Sequence, residues 1–285
     1  MISVIIPAFN SAGTINLTLS SIFSNKFPRE CFEVLIIDNA STDDTVKVAQ
    51  RYPVKVYHCS KRGIGPPRNE GVRMARGDIV CFTDSDCIVE KDWLNRISAF
   101  FEAYPDADGV GGPVLYHQEG INKLQQYTGE IFIKDHEYPT TRTELRFGVF
   151  KGILFGANSA YKKEALISVG GFEEPGGNCL ELSWRLAFNG ARLFFDPNII
   201  VHHIFPWELQ ALFKQHFRWG LQMTRLRIKH RVFRSRGIFL IFYFLARCFL
   251  RSLLSFNNFS KNLLRFTQLT AFTFGQIRGL KDDAK

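Results

Sequence analysis

The stretch Ile79-Val80-Cys81-Phe82-Thr83-Asp84-Ser85-Asp86 decides the fold. Its apolar half reads as a buried strand, and the strand ends in two carboxylates one residue apart. Two hard oxygen donors at a strand's carboxyl end suit Mg²⁺ or Mn²⁺, which bridges to phosphate oxygens. The plain alternative is a polar strand end followed by the N-cap of a helix starting near Glu90 or Lys91, since acidic turns are common.

Upstream of this stretch, strand and helix patterns alternate at short spacing. Ile2 to Ile6 reads as a short buried strand, followed by a helical pattern from Thr14 to about Ser24. Val34-Leu35-Ile36-Ile37 is a second strand, again ending in an acid, Asp38. Asp43 and Asp44 open a helix over about 44–51, with acids where the dipole favours them. Val54 to Cys59 is a third strand, 66–76 a helix, and 79–83 the fourth strand. This alternation predicts a doubly wound, mostly parallel sheet flanked by helices. Asp38, Asp84 and the turn Pro7–Asn10 then fall at the edge where such sheets bind ligands.

Downstream the pattern is more mixed. Residues 111–115 are expected to return to the sheet, 121–135 to be a helix or mobile segment, and 155–161 a strand. Helices follow over 163–168 and 179–189, the latter stopped by Asn189-Gly190, then a short strand over 192–195.

A chain of 285 residues, 46% of them hydrophobic, fits one large α/β domain or a domain with an appendage. The six cysteines are scattered without a C-x-x-C pair, which argues for reduced thiols in a cytosolic setting and against a disulfide frame or zinc site. The opening Met1–Ile6 runs into Pro7, too short for the apolar region of a secretory signal. Charge divides unevenly: residues 201–285 carry 15 Lys/Arg against 3 Asp/Glu, and the rest leans acidic. Two regions are therefore expected, 1–220 for the α/β domain and 221–285 for a basic, aromatic helical tail.

In that tail, the basic run Arg225 to Arg236 precedes the apolar stretch Ile238 to Leu245, which Arg247 and Arg251 interrupt. A membrane span needs about 20 apolar residues, so the expectation is lodging at an anionic membrane face. Packing of these helices on the α/β domain, or on a second copy as a homodimer, is the alternative. Nucleic acid is disfavoured, because no recognition motif accompanies the basic run.

In order along the chain, these residues resemble the large family 2 of inverting glycosyltransferases, with the GT-A fold. The resemblance rests on Val4-Ile5-Ile6-Pro7-Ala8-Phe9-Asn10, Asp38-Asn39-Ala40-Ser41-Thr42-Asp43-Asp44-Thr45, Gly63 to Gly71 with Arg68-Asn69, Asp84-Ser85-Asp86, and Gly170-Gly171-Phe172-Glu173. Asn39 and Ala40 depart mildly from the family's pattern. The resemblance implies a nucleoside diphosphate sugar as donor, with Pro7, Phe9, Asp38, Arg68 and Asp84 at the nucleotide. It implies Mg²⁺ or Mn²⁺ on Asp86, with Asp84 contacting the ribose or a metal-bound water and His203 completing the site. Asp38 can accept an imide N–H, which points to a UDP-sugar. Gln215, Arg218 and Trp219 form a Q-x-x-R-W sequence that in relatives lies near the acceptor or diphosphate.

One landmark is altered. Inverting transfer needs a base for the acceptor hydroxyl, and the family's Glu-Asp pair falls here on Asn178-Cys179. Glu181 and then Glu174 are the candidate bases, although Glu181 also fits a solvated helix face. The expected activity is sugar transfer to a hydroxyl of a glycan or lipid-linked acceptor at the cytoplasmic face of the membrane. A catalytically weak nucleotide-sugar-binding subunit is the second reading. A nucleotidyltransferase is disfavoured, because Pro7–Asn10 supplies no glycine-rich, lysine-bearing phosphate loop.

Overall fold

The structure is a computed structural model that describes residues 1–136, 138–145, 154–173, 179–205, 208–229, 264, 267–274 and 276–278. The described residues group into two compact units, one of residues 1–117 and 136–204, the other of 118–135 and 205–285. Glu174, Asn178 and most of the basic tail lie outside the described residues.

The first unit is built on β1 (Ile2–Ala8), a β-branched run buried almost throughout. Burial on both faces makes it a central strand. Parallel neighbours flank it: β2 (Phe32–Asp38) on one side, followed by β3 (Lys55–His58), and β4 (Ile79–Phe82) on the other. The crossovers are α1 (Ile15–Phe23), α2 (Thr45–Ala49) and α3 (Gly65–Met74). The chain moves outward from β1 through β3 and then returns to β1's other side, so the sheet order reverses between β1 and β4. Ligands of open α/β sheets bind at such a reversal.

Beyond β4 the expected parallel pattern becomes mixed. The eight-stranded order β3-β2-β1-β4 continues with β9 (Ser159–Lys162), β6 (Gly109–Gly111), β10 (Leu193–Phe195) and β8 (Thr143–Glu144). Strand β9 runs antiparallel to both β4 and β6. The predicted return over 111–115 is two strands rather than one. It breaks at Gly112-Pro113, and β7 (Val114–Tyr116) joins a separate sheet with β5 (Cys87–Val89) and β11 (Val201–His203). The reason is steric at Gly112, whose backbone packs against the carbonyls of Ile199 and Asp196, where a Cβ would collide. The strand expected over 155–161 begins only at Ser159. Before it, Asn158 turns inward, accepts the Trp93 indole N–H at 2.9 Å and donates to the carbonyls of Pro113 and Ile199.

Helices α4 (Trp93–Ala103), α6 (Lys163–Ser168) and α7 (Cys179–Phe188) complete the unit. One core cluster joins Ile5, Leu35, Phe82 and Tyr161 of the sheet to Phe172 and to Leu182 and Leu186 of α7. Phe172 meets Phe82 edge-on at 5.1 Å, a favourable aromatic geometry.

Helix α5 (Lys123–His136) lies mostly in the second unit, with α8 (Leu209–Lys229) and helical residues 267–274. Phe132 packs on Phe205 there, and Gly220 of α8 touches the backbone of Phe272. Among the described residues, no helix is long and apolar enough to cross a membrane.

Candidate active site

The carboxyl ends of β1, β2 and β4 carry three loops that bind one another. The Asn10 side chain accepts the Thr42 N–H at 2.8 Å, and the Asn10 N–H donates to the Ser41 hydroxyl at 3.0 Å. Ser11 N–H donates to Thr45 Oγ1 at 2.7 Å, and Ala12 N–H to Asp43 at 3.1 Å. Across the sheet reversal, the Ser11 and Ser85 hydroxyls meet at 2.7 Å. Slight desolvation pushes the Asp43 carboxyl up, but hydrogen bonds from Thr45 and Ala12 outweigh it and hold it below its ordinary value. Asp43 is therefore a carboxylate clamp between loops.

Asp38 closes β2 and is 5% exposed. Its oxygens accept the Ser41 N–H at 3.2 and 3.4 Å, and its Oδ2 faces His58 Nδ1 at 3.3 Å. Neighbouring Asn39, one of the two departures from the family pattern, has a specific task. Its amide donates to the carbonyls of Cys59 and Lys61 at 2.8 and 2.7 Å, which an aspartate could not do. Pro7 is half-buried and Phe9 is 56% exposed at the end of β1.

The small sheet sets the second part of the site. Antiparallel register places His203 opposite Cys87, and Ile204 N–H donates to the Asp86 carbonyl at 2.8 Å. Successive strand residues face opposite sides. His202 therefore turns away to Glu90 at 2.8 Å, while His203 Nε2 comes to 3.4 Å from Asp86 Oδ1. Of the two histidines, the spacing correctly favours His203 as the one beside Asp86.

Asp86, Cys87 and His203 present donor atoms within 4.8 Å of one another. Burial drives the Cys87 thiol well above its ordinary pKa, helped by the Asp86 and Asp84 charges, so it stays a protonated core group. Burial also pushes the Asp86 carboxyl up, Asp84 adds to this, and His203 opposes it. A carboxylate crowded by a second carboxylate and an imidazole is the donor set that a hard or borderline divalent cation suits. The residues fit Mn²⁺ or Mg²⁺.

Arg68 of α3 is 4% exposed and reaches the same edge. It donates from Nη2 to Asp84 at 2.9 Å and from Nη1 to Cys179 Sγ at 3.7 Å, and its guanidinium lies over the Phe172 ring. Its Nε has no hydrogen-bond partner among the described residues. Arg68, expected at the nucleotide, is buried here and paired to Asp84.

Glu181 is not on a solvated face. It is 1% exposed, and Arg185 grips both its oxygens at 2.9 and 2.6 Å. On α8, Gln215 and Trp219 stand one turn apart, and Trp219 lies beside His216 at 4.9 Å. Arg218 shares with Phe213, Lys214 and Phe217 the lining of an apolar groove of about 810 Å³ within the second unit.

With this geometry in hand, the profile described as Glycosyl transferase family 2 matches residues 3–170. The chain belongs to glycosyl transferase family 2. This family 2 chain is 34% identical over 108 residues to the poly(ribitol-phosphate) beta-N-acetylglucosaminyltransferase TarS of Staphylococcus aureus, covering 36% of this chain and 19% of TarS. It is 27% identical over 232 residues to the poly-beta-1,6-N-acetyl-D-glucosamine synthase of the same species, covering 77% of this chain and 53% of the synthase. It thus spans at most about half the length of these two relatives. The mannosyltransferase PcManGT of Pyrobaculum calidifontis, solved with GDP-Man and Mn²⁺, superposes with a TM-score of 0.70. That match covers 99% of this chain and 87% of PcManGT at 19% identity, and it shows the shared GT-A fold. Sequence reading of the family 2 site gave no role to His58 or to the Asn39 side chain, although it placed Asn10 in the turn at the ligand edge. Only Asn39 left a signal, an amide where the pattern has an acid.

Proposed function

We propose that this chain is a metal-dependent inverting glycosyltransferase. It moves a sugar from a nucleoside diphosphate sugar, UDP-linked, to a hydroxyl of a glycan or lipid-linked acceptor. The observation that carries this reading is the convergence of Asp84, Asp86, His203 and Arg68 at one sheet edge with Asp38. TarS, a relative named as an N-acetylglucosaminyltransferase, has been solved with UDP-GlcNAc, which supports a UDP donor here.

Asp38 accepts the ring N–H of the base, and Pro7 and Phe9 line the nucleotide. A divalent cation on Asp86 and His203 would neutralise charge developing on the leaving nucleoside diphosphate. Arg68 is a positioning residue: its fork holds Asp84 toward the ribose and the metal site. The acceptor hydroxyl attacks the anomeric carbon in one displacement and gives its proton to a carboxylate base. We assign the base to Glu174 ahead of Glu181, because a carboxylate that is 1% exposed and gripped by Arg185 must first be released to reach a hydroxyl. Gln215 and Trp219 are assigned to the acceptor, and the basic tail to an anionic membrane face, which places the enzyme peripherally at the cytoplasmic side.

A second reading is a catalytically weak nucleotide-sugar-binding subunit, favoured by a thiol, Cys179, beside Arg68 where the family's acid is expected. Donor hydrolysis against UDP-, GDP- and dTDP-sugars, with Mn²⁺ and with EDTA, separates the two. Metal-dependent release of UDP that falls about a thousandfold in Asp86→Ala supports the enzyme. Metal-dependent binding without release, on any acceptor tried, favours the binding subunit. Glu174→Gln and Glu181→Gln then assign the base: the first is expected to abolish transfer with donor affinity intact, the second to lower stability more than turnover.

A further inference from the structure

His58, at the last position of β3, is the partner that sequence reading gave no role. Parallel register sets it beside Asp38, yet its side chain is 64% exposed while that of Asp38 is 7% exposed. The contact to Asp38 Oδ2 at 3.3 Å requires the proton on Nδ1. Oδ2 therefore carries His58 and a share of the Ser41 N–H, whereas Oδ1 carries the Ser41 N–H alone. Because Asp38 is so deeply buried, little more of the carboxylate is left to a ligand.

We infer that His58 is a specificity-determining residue: by crowding Asp38 Oδ2, which also shares the Ser41 N–H, it leaves Oδ1 as the more open acceptor for the donor's base. The inference rests on the reading of Asp38 as the base acceptor. A pyrimidine imide such as uracil offers one ring N–H between two carbonyls, and one acceptor satisfies it. Guanine offers two adjacent donors on that edge, its ring N–H and its amino group, and pairs best with two free carboxylate oxygens. With Oδ2 already facing two protein donors, the second guanine donor pairs poorly, and poorly paired buried polar groups discriminate more strongly than lost apolar contacts. The exposed ring makes the device separable from the fold, since removing it opens no core cavity.

The test is calorimetric binding of UDP and GDP, each with Mn²⁺, to the full chain and to His58→Ala, His58→Asn and Asp38→Ala. The wild type is expected to prefer UDP. His58→Ala is expected to raise GDP affinity roughly tenfold while UDP affinity changes less than about threefold. His58→Asn, which keeps an N–H near the Nδ1 position, is expected to restore the wild-type ratio. Asp38→Ala is expected to lose UDP binding. An unchanged UDP-to-GDP ratio in His58→Ala, or an equal loss of both ligands, overturns the role of His58 and leaves the UDP reading standing. A wild type that prefers GDP overturns the UDP reading and this inference together. UDP binding that survives in Asp38→Ala removes the shared premise.

Discussion

Around Asp38, the loops after β1 and β2 bind one another through many modest contacts: Asn10 to Ser41 and Thr42, Ser11 to Thr45, Ala12 to Asp43. Around Arg68 the site is held differently. One guanidinium, buried between Asp84, Cys179 and Phe172, joins the end of β4 to the start of α7. The nucleotide side is thus redundant, and the loss of any one contact leaves its neighbours in place. On the α7 side, among the described residues, one side chain, Arg68, links Asp84 to Cys179. Substitutions of similar size should therefore cost most where the structure is least redundant.

The largest effect is expected at Gly156. A Cβ there would come within 2.7 Å of the Arg68 guanidinium carbon and 2.8 Å of Cys179 Sγ. Arg68 is buried, and both its terminal nitrogens are engaged, by Asp84 and Cys179. Gly156→Ala is expected to displace it and with it Asp84, lowering metal-dependent donor turnover about a hundredfold while destabilising the fold by about 1–3 kcal/mol. Turnover within threefold of wild type would show that Asp84 holds its place without Arg68.

The same contrast explains what the sequence made legible. Strands β2 and β4 are apolar runs that lead into acids, so the placement of Asp38, Asp84 and Asp86 at the sheet edge follows from local pattern. The tie between β5 and β11 that delivers His203 joins residues more than a hundred positions apart. Only the family resemblance pointed to it, and strand parity settled which histidine turns inward. The family resemblance puts Arg68 at the nucleotide, but its burial is not legible, because nothing local announces that Gly156 and Cys179 will pack against it. Glu181 lies on the expected helix, but its 1% exposure is set by packing that helix periodicity does not announce.

On the redundant side, Asn39→Asp is the sharper probe. It replaces the amide nitrogen, whose two N–H groups are aimed at the carbonyls of Cys59 and Lys61, with a carboxylate oxygen. Facing oxygen against oxygen at a half-buried site should cost about 2 kcal/mol, read as a lower urea midpoint with an unchanged slope. UDP affinity should fall less than tenfold, because Asp38 keeps its own Ser41 contacts. A loss of binding as large as that of Asp38→Ala would show that this side, too, hangs on one residue.

The smallest effect is expected at Ala40, which adopts φ +62°. A left-handed conformation costs a residue with a Cβ about 1–2 kcal/mol. Glycine avoids that cost but gives back roughly 0.5–1 kcal/mol through its freer unfolded chain. Ala40→Gly should therefore stabilise the protein by about 0.5–1 kcal/mol, near 1–3 °C in melting temperature for a domain of this size. The strain holds the turn that presents Ser41 N–H to Asp38, and the cross-loop contacts of Asn10 fix that turn whether residue 40 is Ala or Gly. Nucleotide affinity should accordingly stay within twofold of wild type. Higher stability with weaker binding would instead mean that the Ala40 side chain itself presses the turn into its binding shape, and that the redundancy on this side belongs to the fold alone.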